Sequence, residues 1–125
     1  MKKFYRCEVC GNIVGLVNDG GGTLVCCGQP MDLLEANTKD AALEKHVPAY
    51  KLEGDLLTVM VGEVPHPMTE AHYIQWIAVY QNKHMQRTEL LPDGKPEAVF
   101  TIDAEKPFTA FEYCNLHGLW KADSK

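Results

Sequence analysis

The nine residues His72-Tyr73-Ile74-Gln75-Trp76-Ile77-Ala78-Val79-Tyr80 set Ile74, Trp76, Ala78 and Tyr80 against Tyr73, Gln75, Ile77 and Val79. This is an alternation of period two, the spacing at which successive side chains of an extended chain point to opposite faces of a sheet. No helical stripe of comparable length competes with it. Similar short runs lie on either side, at residues 49–52, 56–61, 85–91, 98–102 and 108–114. Glu53-Gly54-Asp55, Pro65-His66-Pro67 and Pro92-Asp93-Gly94 supply the turn chemistry that separates them. Six or seven strands at this spacing predict an all-β domain, a β-sandwich of the immunoglobulin type.

The N-terminal part has a different character. Cys7, Cys10, Cys26 and Cys27 surround the turn Asn18-Asp19-Gly20-Gly21-Gly22, with short extended runs at 4–7, 13–17 and 23–25. Large apolar residues are too few there for an unaided core, so a small hairpin unit stapled by a metal is expected. Residues 36–46 are polar and acidic with interspersed Ala, suited to a linker carrying a short helical turn. The expected division is therefore 1–35 and 36–125.

A chain of 125 residues has room for one normal domain of about 90 residues plus such a mini-domain, which excludes a multidomain enzyme. With 46% apolar and 23% charged residues the composition is that of a folded globular protein. The net charge is -5 and neither part carries a positive balance, which argues against nucleic acid as the main partner. Met1-Lys2-Lys3-Phe4-Tyr5-Arg6 runs straight into Cys7 without a signal-peptide apolar stretch, and no segment has membrane-spanning length. A cytoplasmic location follows as the expectation. In that reducing compartment an odd count of five cysteines favours metal ligation over disulfides.

Cys7-x-x-Cys10 has the spacing of a metal knuckle, in which two thiolates converge on one ion while the backbone amides between them face the sulfurs. Cys26 and Cys27 follow after fifteen intervening residues. Four thiolates suit tetrahedral zinc or iron, and spacing alone does not choose between them. Adjacent cysteines cannot form a second knuckle and are expected to distort the tetrahedron. Buried free thiols or a redox pair are the alternatives.

The second candidate set comprises His46, His66, His72, Cys114 and His117, each at a strand end or in a loop. Loops from one end of a sandwich can converge while the sheets hold them rigid. Taken singly, each of these histidines is more often a surface or core residue than a ligand, and no spacing rule makes the loops meet. His84 reads as an ordinary surface residue. Should the five meet, four imidazoles and a thiolate exceed the four ligands of zinc and suit iron, with one of six positions left open for chemistry.

In this order and spacing, Cys7-x-x-Cys10, Cys26-Cys27, Glu44-Lys45-His46-Val47-Pro48, His66-Pro67-Met68, His72-Tyr73-Ile74 and Cys114-Asn115-Leu116-His117-Gly118-Leu119-Trp120 resemble the desulfoferrodoxins, two-iron superoxide reductases, over essentially the whole chain. The resemblance implies a desulforedoxin-like domain whose Cys7, Cys10, Cys26 and Cys27 hold one mononuclear non-haem iron. It implies a second such iron in an immunoglobulin-like domain, with His46, His66, His72 and His117 equatorial, Cys114 axial and the sixth position facing solvent. Lys45 and Glu44 would be the mobile catalytic pair beside that position. The implied activity is one-electron reduction of superoxide to hydrogen peroxide without production of dioxygen. Electrons would come from a rubredoxin-like donor, and the protein would be a cytoplasmic homodimer without membrane or nucleic-acid partners. A one-iron electron carrier and a zinc-stapled structural protein are the competing readings. Two irons per chain, one or none distinguish the three.

Overall fold

The computed structural model describes residues 3–38, 46–62 and 66–124. The chain divides into two compact units, Met1–Glu35 and Ala36–Lys125. In the first, β1 (Phe4–Arg6), β2 (Ile13–Gly15), β3 (Val25–Cys26), β4 (Gln29–Pro30) and β5 (Asp32–Leu33) are all very short. β1 lies between β2 and β5, and β3 pairs with β4 in a hairpin of its own. Among the described residues of this unit Phe4 and Cys7 are the buried apolar ones, while Val9, Val14, Val17, Val25 and Leu33 are exposed. Two buried side chains do not make a core, and the unit depends on whatever its cysteines bind.

The second unit contains β6 (Pro48–Glu53), β7 (Leu56–Val61), β8 (Ile74–Gln81), β9 (His84–Glu89), β10 (Glu97–Thr101), β11 (Thr109–Cys114) and β12 (Gly118–Asp123). One sheet has the order β10-β7-β6 and the other β12-β11-β8-β9, with every pair antiparallel. A three-stranded sheet facing a four-stranded one is the seven-strand sandwich expected from the sequence. β12 is the strand that the period-two reading does not single out. Leu119 and Trp120, both buried, are adjacent in it, so its burial does not alternate.

The core sits between the sheets. Leu57, Val59 and Val61 of β7 and Ala98 and Phe100 of β10 meet Ile74, Ile77 and Val79 of β8 and Ala110 and Cys114 of β11. One detail departs from the simple alternation of residues 72–80. β8 pairs with β11 in constant register from Thr109↔Tyr80 to Tyr113↔Trp76, but Cys114 pairs with Ile74. Gln75 is therefore an extra residue, a β-bulge, and it turns Ile74 from the face of Trp76 to the core face of Ile77 and Val79. The bulge lies at the end of β11 where Cys114 enters the core.

The antiparallel pairing also decides which chain ends meet. Pro48 at the start of β6 lies beside Val61 at the end of β7, and Ile74 at the start of β8 lies beside Cys114 at the end of β11, which in turn faces Gly118. His46, His66, His72, Cys114 and His117 are all next to these ends, at one pole of the sandwich.

Between Ala110 and Cys114 on the core face of β11 lies Glu112, fully buried, with neither carboxyl oxygen hydrogen-bonded among the described residues. Burial raises its pKa well above the ordinary 4.5. A carboxyl raised in the folded state binds more protons there than in the unfolded chain. Its contribution is therefore complete below pH 4.5 and is lost progressively as the pH rises toward the folded pKa. Glu112→Gln removes this term, so its stability advantage over the wild type should grow between pH 5 and pH 8. Urea midpoints of both proteins across that range check this; parallel pH profiles would show that Glu112 is not a neutral buried acid.

Candidate metal centres

Four imidazoles gather at the pole of the sandwich in a recognisable figure. Ring centroids are 4.7 Å apart for His46–His66, 4.6 Å for His66–His72, 5.0 Å for His72–His117 and 4.7 Å for His46–His117, with planes crossed at 76 to 89°. His46 and His72 are 6.4 Å apart and nearly parallel. Four near-equal edges with a longer diagonal describe a square, with His46 opposite His72. The donor atoms follow the same figure: His46 Nε2 is 3.1 Å from His66 Nε2 and 3.0 Å from His117 Nδ1. Two nitrogens each about 2.1 Å from a common ion and at right angles would be about 3.0 Å apart. Cys114 Sγ is 3.5 Å from His66 Nε2 and 3.8 Å from His117 Nδ1, and all five donor atoms lie within 4.8 Å of one another.

The protonation states suit a cation. His66 Nδ1 is 2.7 Å from the Pro67 carbonyl. A carbonyl only accepts, so Nδ1 carries the proton and Nε2 keeps its lone pair toward the cluster. Burial first, with the neighbouring imidazoles adding to it, lowers the His66 pKa to about 4 and keeps the ring neutral at pH 7. Burial raises the Cys114 thiol pKa, partly offset by the Leu116 and His117 backbone N–H groups. A metal would displace that proton, as thiolate ligation always requires. Four nitrogens in a square cannot be the tetrahedron of structural zinc, and with sulfur beside the square the set asks for a metal of higher coordination number.

Trp120 is a part of this site that sequence reasoning did not assign. Fully buried, it stacks on His46 at 5.0 Å and donates its Nε1–H to the His117 carbonyl at 3.1 Å. One indole thus touches both a ring and the backbone of another. Its place three residues after His117 was the available signal.

In the first unit the knuckle forms as expected: the Cys10 N–H faces Cys7 Sγ at 3.5 Å and the Asn12 N–H faces Cys10 Sγ at 3.5 Å. Cys26 and Cys27 reach the same point by another device. The turn between β3 and β4 consists of Cys27 and Gly28 with φ of 54° and 78°, the double left-handed signature of a two-residue hairpin. Left-handed backbone at Cys27 costs about 1–2 kcal/mol. In exchange two adjacent side chains point to one side. Sulfur separations of 3.6 Å for Cys10–Cys26 and 3.9 Å for Cys26–Cys27 straddle the about 3.8 Å edge of a tetrahedron with 2.3 Å metal–sulfur bonds. The irregularity expected in the sulfur polyhedron is therefore taken up, at these edges, by the backbone. All five cysteines are free thiols. The Cys10 N–H first among its partners lowers the Cys7 pKa to about 6, while the hydrogen bond to the Cys10 sulfur, then Cys26 and Cys7, push Cys27 up to about 12. Four thiolates this close need a cation to coexist.

Two family models match the chain, the desulfoferrodoxin N-terminal domain over residues 1–34 and desulfoferrodoxin over residues 38–123. The chain belongs to the desulfoferrodoxin family. A desulfoferrodoxin from Desulfarculus baarsii is 54% identical over 121 residues, covering 96% of this chain and 94% of that protein. The crystal structure of the superoxide reductase from Treponema pallidum is 34% identical, covers 98% of both chains and superposes with a TM-score of 0.78. A superoxide reductase (1Fe-SOR) from Giardia intestinalis covers 66% of this chain and 98% of its own, at 35% identity and a TM-score of 0.59. The four-cysteine and four-histidine, one-cysteine clusters match the two iron centres of a desulfoferrodoxin. The desulfoferrodoxin catalytic pair expected at Lys45 and Glu44 lies outside the described residues. His84 stands apart from the cluster, exposed at the start of β9.

The absence of a core in the first unit leads to a direct expectation. Cys27→Ser should lose the iron of the four-cysteine centre and loosen residues 1–35, leaving about one iron per chain where the wild type has two. Iron analysis combined with limited proteolysis checks both halves; loss of both irons would show that the two units are not independent.

Proposed function

We propose that the chain is a superoxide reductase, with residues 36–125 as the catalytic domain and residues 1–35 as an iron-bearing electron-transfer domain. The observation that carries this is the square of four imidazoles with a thiolate to one side of it. His46, His66, His72, His117 and Cys114 would together hold an iron, and five donors on a metal that accepts six would leave one position for the substrate. Cys114 is fully buried within the core and His72 and His117 are half-buried, which supports an outward-facing vacancy. The iron supplies one electron and a Lewis-acid site for the superoxide anion, and the balance is one superoxide, one electron and two protons giving one hydrogen peroxide.

The protein's part is electrostatic and geometric. The lowered pKa of His66 keeps this ligand neutral, so proton competition for it is weak near pH 7. Cys114, once deprotonated, brings a single negative charge into the core. Electron donation from that sulfur would favour the oxidised state of a bound iron. A net charge of -5 repels an anion at long range, so capture needs a local cation. We assign that role to Lys45, which is bonded in sequence to His46, with Glu44 as the second member of the catalytic pair.

The redox partner is a rubredoxin-like one-electron donor. Exposure of Cys10 and Cys27 supports this, since a centre with sulfurs at the surface shortens the distance to a docked carrier. The protein acts as a homodimer in the cytoplasm, detoxifying superoxide under oxidative stress. Exposed Val14, Val17 and Leu33 on so small a unit support association. No helix among the described residues is long and apolar enough to cross a membrane.

Pre-reduced protein mixed with superoxide should yield hydrogen peroxide without dioxygen; dioxygen release in equal measure would mean dismutation instead. Cys114→Ser exchanges a soft donor for a poor one. The sulfur-to-iron charge-transfer band should vanish and superoxide reduction should slow by about tenfold or more, while His84→Ala keeps both. Stopped-flow absorption of the two variants checks the pair.

Lys45→Ala should slow second-order capture by about tenfold and flatten its dependence on ionic strength. Lys83→Ala, a charge change at the opposite end of β8, should do neither. Pulse radiolysis of the reduced proteins across a salt series measures this, and an unaltered rate in Lys45→Ala removes the steering role.

A further inference from the structure

We infer that Asn115 is a positioning residue that sets the His72 imidazole relative to the Cys114 sulfur, an inference that rests on the superoxide reductase reading of the site. Asn115 follows Cys114 directly in the chain. Its Oδ1 accepts the Tyr73 N–H at 2.9 Å, its Nδ2 donates to the Ala71 carbonyl at 3.0 Å, and its backbone N–H donates to the Tyr73 carbonyl at 3.2 Å. These bonds bracket His72 on both sides. The peptide groups of His72 itself are held from the other direction, by Thr69, whose carbonyl accepts the His72 N–H at 3.1 Å and whose N–H donates to the His72 carbonyl at 3.0 Å. From the carbonyl of Ala71 to the carbonyl of Tyr73, each backbone polar group is thus bonded either to Asn115 or to Thr69.

The reason a side chain takes this part lies in the sheet. Regular pairing of β8 with β11 is broken by the bulge, and beyond the single pair Cys114↔Ile74 the ladder has no further strand residues. A primary amide offers a donor and an acceptor on one planar group, so it can imitate a peptide unit and extend the pairing past that last pair. Asp can accept from Tyr73 but sets an oxygen against the Ala71 carbonyl. Leu can do neither. The Cys114 sulfur and the His72 imidazole are therefore joined by a short bridge of two adjacent residues, Cys114 and Asn115, and the bonds around His72. Loosening that bridge moves His72 within the square and leaves the other three imidazoles to their own elements.

The test uses the full chain loaded with iron, comparing wild type, Asn115→Ala and Asn115→Asp. The electron paramagnetic resonance line shape of the second ferric centre should change in both variants, and a chelator should extract that iron about tenfold faster. The four-cysteine centre of the same molecules should keep its spectrum and extraction rate, and serves as the internal control. Should Asn115→Ala not fold, Asn115→Asp, of the same size, decides alone. A wild-type line shape with extraction within about twofold of wild type overturns the inference. So does a lowered Tm with an unchanged line shape, because that marks Asn115 as structural only. A wild type without a second ferric signal overturns the superoxide reductase reading itself, and the inference with it.

Discussion

Lone pairs crowded together away from water repel one another unless a cation lies between them. In the second unit, imidazole nitrogens approach to 3.0 and 3.1 Å and a sulfur stands 3.5 Å from one of them, at a place where His46, His66 and Cys114 are buried. Burial keeps water away and holds His66 neutral, and a cation shared by the donors satisfies all of them at once. The donors stay together because the sandwich brings them together: β6, β7, β8, β11 and β12 all turn or end at the same pole, and the core behind them resists deformation. The site is preorganised by packing, and a metal completes it.

The first unit reverses that order of cause. With Phe4 and Cys7 as its buried apolar residues among those described, it has no packing that could preorganise a site. Its thiols hold their geometry through hairpin turns and N–H groups aimed at sulfur, and the metal is the core. The left-handed Cys27 is instructive. A residue with a side chain accepts a conformation suited to glycine because the ligand is needed at that point.

Burial on the two sides of the square differs in kind. Cys114 belongs to the apolar core and sits two residues from Glu112, an acid without a hydrogen-bond partner among the described residues, so the floor of the site is dry and poor in compensating charge. Trp120 adds an aromatic wall against His46. A single thiolate would then be the dominant negative charge that the core supplies to a bound iron.

Much of this was legible in the residues. The cysteine knuckle and the alternation of residues 72–80 are local patterns, and local patterns follow from short-range sterics and ligand spacing that a linear reading can follow. The seven-strand sandwich was reachable for the same reason, apart from β12, whose buried residues do not alternate. Other features depended on contacts between residues distant in sequence. The sequence by itself determined the kinds of donor and the strand periodicity. Only the tertiary structure decided that His46, His66, His72 and His117 form a square, because His46 Nε2 and His117 Nδ1, which lie before strands of different sheets, are brought to 3.0 Å by the packing of the two sheets and not by spacing. It also decided that a bulge at Gln75 turns Ile74 into the core, since a bulge is a mismatch between two strands and neither strand carries it alone.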